Sequence, residues 1–88
     1  MREGFLYRLL EYAHMSIDKL KRVMWRLDAL GTHNVRRIEL VRAIMIECGT
    51  SHATIWDNQE ALLRLGWLKR EKKRFQITDK HKTQDFAQ

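Results

Sequence analysis

Lys69, Arg70, Lys72, Lys73 and Arg74, followed by Lys80 and Lys82, place seven basic side chains within residues 67–82, against only Glu71 and Asp79. A charge run is by default a solvated face, and only its structural context can turn it into a polyanion-binding site. The other residue types that could do chemistry are sparse. Cys48 and His52 are separated by three residues, and His14, His33 and His81 are scattered, which is not a metal-ligand spacing. There is no His–carboxylate pair, nucleophile motif or glycine-rich phosphate loop. No catalytic residue, metal site or cofactor is expected, and the chain is not expected to be an enzyme. Cys48 reads as a small core hydrophobe rather than a redox sensor, because nothing basic adjoins it in sequence to stabilise a thiolate.

The whole chain agrees with that local excess. It has 88 residues, enough for one domain over 1–88, and 17 Lys and Arg against 11 Asp and Glu give a formal charge of +6. Polyanions are the natural partners, nucleic acid before an acidic membrane. At 44% hydrophobic and 32% charged residues, disorder is excluded as the default state. No apolar run reaches the ~18 residues that cross a bilayer, and Met1-Arg2-Glu3-Gly4-Phe5 does not open a secretion signal. A single cysteine allows no intramolecular disulfide and fits a reducing cytoplasm.

Elements must position the basic run. Leu6, Leu10, Ala13, Ile17, Leu20, Met24 and Leu27 recur at alternating steps of four and three, and Leu9, Val23 and Leu30 widen the stripe. This predicts an amphipathic N-terminal segment over residues 1–31, either one helix or two joined near His14–Ser16, closed by Gly31. Leu6, Leu10, Ile17, Leu20 and Met24 form a heptad seam that would also serve as a homodimer interface. After a Thr32–Val35 connector, with Asn34 a candidate cap, Ile38, Val41, Ile44, Met45 and Cys48 mark the apolar face of a second helix ending at Gly49. Thr50 and Ser51 are N-cap types for a third, whose buried side is Ile55, Leu62 and Leu65 and whose end is Gly66. From Trp67 the period falls to two: Leu68 and Arg70 share a face, then Phe75 and Ile77, with Glu71-Lys72-Lys73 between them. The class is therefore mainly α with a small β-hairpin (α+β), leaving residues 80–88 as a loose or short helical tail.

Gly49-Thr50-Ser51-His52-Ala53-Thr54-Ile55 resembles the turn and recognition-helix start of winged helix-turn-helix transcriptional regulators. Leu62-Leu63-Arg64-Leu65-Gly66-Trp67-Leu68-Lys69-Arg70 is similar to that family's junction into the wing. Arg74-Phe75-Gln76-Ile77-Thr78-Asp79-Lys80 resembles the close of MarR- and PadR-like wings, except that the family's final glycine is His81 here. The resemblance covers about residues 35–80 and implies a helix-turn-helix over 35–66 and a wing over 67–79.

What the resemblance implies is sequence-specific binding of double-stranded DNA by a small regulator acting as a homodimer. Thr50, Ser51 and His52 would meet phosphate at a helix N-terminus, and Thr54, Asn58 and Gln59 would face bases. Lys69, Arg70, Lys72, Lys73 and Arg74 would lie on the backbone. Asp57 and Glu60 stand where many DNA readers have Arg or Lys, and this opens a second expectation: a protein-docking or nucleoprotein scaffold module. Trp56 is either an exposed contact or, as preferred for so large an aromatic, packed against the wing, while Trp25 and Trp67 are expected in a core or interface.

Overall fold

The computed structural model describes residues 17–82. Leu6 and Leu10 of the expected seam, the question of one N-terminal helix or two, and residues 83–88 of the expected tail lie outside the described residues. Helix α1 spans Ile17–Asp28, strand β1 Asn34–Arg36, helix α2 Arg37–Glu47, helix α3 His52–Arg64, and strands β2 and β3 Leu68–Glu71 and Arg74–Ile77. A single 3-10 turn, Lys80–Lys82, follows. The three strands form one antiparallel sheet in the order β1-β3-β2. The chain is thus a small α+β domain.

In α1, Leu20, Val23, Met24 and Leu27 occur at steps of three, one and three, so they share one stripe, and that stripe is buried. Leu20 and Met24 are 0% exposed and Ile17 packs against the same cluster. These three were expected to serve both the core and a dimer seam. Leu20 and Met24 are taken up wholly by this chain's own core, where α2 packs across the stripe, while Ile17 stays half-buried at its edge. Arg22 and Arg26 reach over to α2, their Nε atoms donating to the two oxygens of Glu47 at 3.1 and 2.6 Å. These bonds, that from Arg26 foremost, hold the Glu47 carboxyl below its ordinary range.

Helix α2 corrects a second expectation. Its inward residues are Leu40, Ala43 and Ile44, while Ile38 and Met45 are exposed and Val41 and Cys48 are half-buried. Asn34 is not its cap. Asn34 lies in β1 and Arg36 occupies the N-cap, where its backbone N–H donates to Glu39 Oε1 at 2.7 Å. Burial pushes the Cys48 thiol up, which favours the uncharged form and suits a packing role.

The turn from α2 to α3 is four residues, Cys48–Ser51. Gly49 takes φ +139°, a conformation side chains disfavour, so the chain reverses within that length. Ser51 caps α3, its Oγ accepting from the Thr54 N–H at 3.1 Å. At the other end Gly66 (φ +80°) completes a Schellman motif: its N–H bonds the Leu63 carbonyl and the Trp67 N–H bonds the Leu62 carbonyl. Trp67, 0% exposed, then enters the core. Thr78 fastens the far end of the hairpin to this junction, its hydroxyl directed at the Gly66 and Trp67 carbonyls. His81 is buried against the Trp67 ring, and its Nε2 donates to Asp28 Oδ2 at 2.8 Å, tying the 3-10 turn to the end of α1.

Candidate nucleic-acid interface

The β2–β3 register pairs Leu68 with Ile77 and Glu71 with Arg74, which leaves Lys72 and Lys73 as a two-residue loop. Two-residue hairpins need positive φ where Asn or Gly usually sits. Lys72 supplies it at φ +55°, at a cost of about 1 kcal/mol for a side-chain-bearing residue. Directly opposed residues in an antiparallel pair share a face, so Leu68, Arg70, Phe75 and Ile77 all point to the same side. Leu68, Phe75 and Ile77 are buried there. Arg70 lies at the open end, its guanidinium 5.4 Å from the centre of the Phe75 ring, where it shields the ring while keeping its charge at the surface.

Lys69, Arg70, Lys72, Lys73 and Arg74 are all exposed, and none is in an ion pair among the described residues. Strand β1 extends this surface. Its pairing with β3 sets Arg36 opposite Arg74, with the exposed Arg37 next in the chain. In sequence Thr32–Val35 has only the look of a connector, and this pairing is not visible there. The signal was a single buried Val35 between exposed neighbours, too short to register as a period. An open crevice of about 540 Å³ beside β1 is lined by Asn34, Glu71, Lys72, Lys73 and Arg74. Glu39 lies near enough that the Arg36 N–H above all, with the Arg36 and Arg74 charges adding, holds its carboxyl low.

The α3 residues divide. Thr50, Ser51 and His52 are exposed at its start, as a phosphate contact requires, and Thr54 is half-buried beside Ser51. Asn58 and Gln59 do not face outward. They are 6% and 2% exposed, and Asn58 Nδ2 donates back to the Thr54 carbonyl at 2.7 Å. Helix α3 is covered both by α2 and by β2, so its buried arc is wider than Ile55, Leu62 and Leu65 imply and takes in positions 58 and 59. Ile55 itself is only partly buried. The outward arc is Ala53, Trp56, Asp57 and Arg64, with Glu60 at its edge. Trp56 is 54% exposed rather than packed against the hairpin, and Trp25 on α1 is exposed as well, whereas Trp67 is core as expected.

Among the described residues no three His, Cys, Asp or Glu side chains gather into a metal-binding group, and no helix is long and apolar enough to cross a membrane. Comparisons with protein-family models, with curated proteins and with solved structures find no match to this chain.

Proposed function

We propose that this chain is a winged helix-turn-helix domain that binds double-stranded DNA chiefly through its phosphate backbone, as the DNA-holding part of a small transcriptional regulator. One observation carries the reading: five exposed cations on and beside a two-residue hairpin tip, without ion-pair partners, are joined by Arg36 across the sheet. Unpaired cations held this close together repel one another and gain most from a partner that carries regularly spaced negative charge. The helix–turn–helix of α2 and α3, running through a glycine turn and straight into the hairpin, supports the winged-helix assignment. Exposed Thr50 and His52 at the start of α3 add backbone N–H groups and partial positive charge for one more phosphate.

Base recognition is not assigned to Asn58 and Gln59, whose side chains are buried. The homodimer reading no longer rests on Leu20 or Met24 for the same reason. Sequence preference in this reading comes from DNA shape and from which phosphates the hairpin can reach.

Fluorescence anisotropy with a labelled duplex, titrated across a salt series, tests the proposal. Binding should weaken linearly on a log–log plot, and the triple variant Lys72→Ala, Lys73→Ala, Arg74→Ala should flatten the slope by about one unit per charge removed. Equal affinity of wild type and triple variant at low salt sinks it. The docking-module reading is then favoured by Trp56, which is exposed on α3 beside Asp57 and Glu60.

A further inference from the structure

A groove of about 260 Å³ runs between the C-terminal half of α1 and the outer side of α2. Its floor is Leu27, Leu30, Ala43 and Ile46. Leu27 and Ala43 continue into the core, but Leu30 is 48% and Ile46 62% exposed, so the floor runs from the core out into solvent. The two exposed side chains leave a small, concave apolar patch beside polar groups, open to the apolar side chains of a partner. The rim carries Arg26, Arg36 and Arg42 with one carboxylate, Glu39. Arg26 is already held by Glu47 and Arg36 by Glu39, while Arg42 is exposed and makes no ion pair among the described residues.

We infer that this groove docks an amphipathic helix of a partner protein, one that presents aliphatic anchors flanked by Asp or Glu. Ala43 and Ile46 are three residues apart on α2 and form one ridge. Leu27, in the last turn of α1, and Leu30, in the turn that follows it, face them, so a third helix can lay its own i, i+3 and i, i+4 side chains between the two sides. Charge selects the acid. A neutral or basic helix would desolvate Arg42 without pairing it, whereas a carboxylate at the rim satisfies it and steers the approach. A nucleic acid could pair the arginines, but it would bring phosphate against Leu30 and Ile46 and leave that surface in water. Arg36 is shared with the proposed DNA-binding surface, but no hairpin-loop residue lines the groove, so the inference does not rest on that reading and substitutions at Arg42 and Ile46 separate the two.

The probe is a fluorescein-labelled peptide of leucine and glutamate patterned as an amphipathic helix, with a second peptide carrying serine in place of leucine. Ile46 and Arg42 are exposed, so Ile46→Glu and Arg42→Ser should keep the wild-type circular dichroism and melting curve. Wild type should bind the leucine peptide, Ile46→Glu should weaken it about tenfold or more, and Arg42→Ser should weaken it a few-fold with a reduced salt dependence. The triple hairpin variant should bind the peptide as wild type does. The inference is overturned if the serine peptide binds equally well, if Ile46→Glu has no effect, or if wild type shows no binding up to about 1 mM. It is also overturned if an unlabelled DNA duplex displaces the peptide and itself loses affinity on Ile46→Glu, because the groove would then be part of the nucleic-acid surface.

Discussion

The hairpin and the outward face of α3 are neighbours in the chain and both are exposed, yet their chemistry is opposite. Lys69, Arg70, Lys72, Lys73 and Arg74 stand without ion-pair partners among the described residues, with Glu71 between them and Glu39 near enough to feel Arg74. Helix α3 turns Trp56, Asp57 and Arg64 to solvent, with Glu60 beside them, and keeps its amides, Asn58 and Gln59, inside. In a domain of this layout the helix is the expected reader and the hairpin an accessory. Here the hairpin holds the charge a polyanion needs, and the helix surface is one that phosphate would repel as readily as attract. Under the proposed DNA binding, the contact falls to the hairpin because the side chains left outside after packing, rather than position within a fold, decide it.

Both surfaces hang on the junction at Trp67, so the most severe way to break the comparison is to remove it. Trp67→Ala empties a fully buried site and should cost about 3–5 kcal/mol, much of the stability of a domain this small. Urea unfolding measures it, and hairpin and helix should be lost in one transition. If the hairpin melts separately, the two surfaces are independent units.

A finer cut falls on Asn58. If it is structural, Asn58→Ala removes its bond to the Thr54 carbonyl and lowers stability by about 1 kcal/mol, leaving the rank order of bound DNA sequences unchanged. A changed preference at unchanged stability would put Asn58 in the groove of the DNA and reverse the comparison. Smaller again is the effect of neutralising the α3 face. Asp57→Asn with Glu60→Gln should tighten duplex binding by a few-fold at low salt, roughly 0.5–1 kcal/mol, if that face lies within a Debye length of phosphate. No change would place α3 away from the DNA and leave the hairpin as the sole contact.

The smallest expected effect concerns the clamp between α1 and α2. Arg26 and Arg22 hold the Glu47 carboxyl below its ordinary value of 4.5. Its contribution to stability is thus complete above that pH and fades as the pH falls below it, when the folded state must give up its carboxylate. Thermal melts of wild type and Glu47→Gln should differ slightly at neutral pH and converge in acid. A gap that persists in acid would mean that packing, not charge, links the two helices.

Sequence legibility followed the strength of local signals. Gly49 and Gly66 and the Ser51 cap bounded α3, because backbone conformation and unpaired N–H groups act within a few residues. The hairpin was legible from the alternation of Leu68, Phe75 and Ile77, although Lys72 gave no turn signal. Helix α2 was not legible in orientation. Ile38, Leu40, Val41, Ala43, Ile44, Met45 and Ile46 put apolar side chains on every side of it, so periodicity could not say which would face inward. His81 gave no hint of its bond to Asp28, which spans 53 residues of chain.

The amino-acid sequence by itself determined the charge excess of residues 67–82, the ends of α3 and the class of the fold, since composition, capping and short-range periodicity are properties of neighbouring residues. Tertiary structure decided the rest. The approach of α2 and β2 from two sides widened the buried arc of α3 and withdrew Asn58 and Gln59 from solvent. The pairing of β1 with β3 brought Arg36 to Arg74. The packing of α2 across α1 left Leu20 and Met24, which the sequence offered to core and seam alike, to the core alone. In each case the outcome depends on which surface arrives from a distant part of the chain. A local pattern can offer a face for burial, but only the neighbour that covers it decides how wide that face becomes.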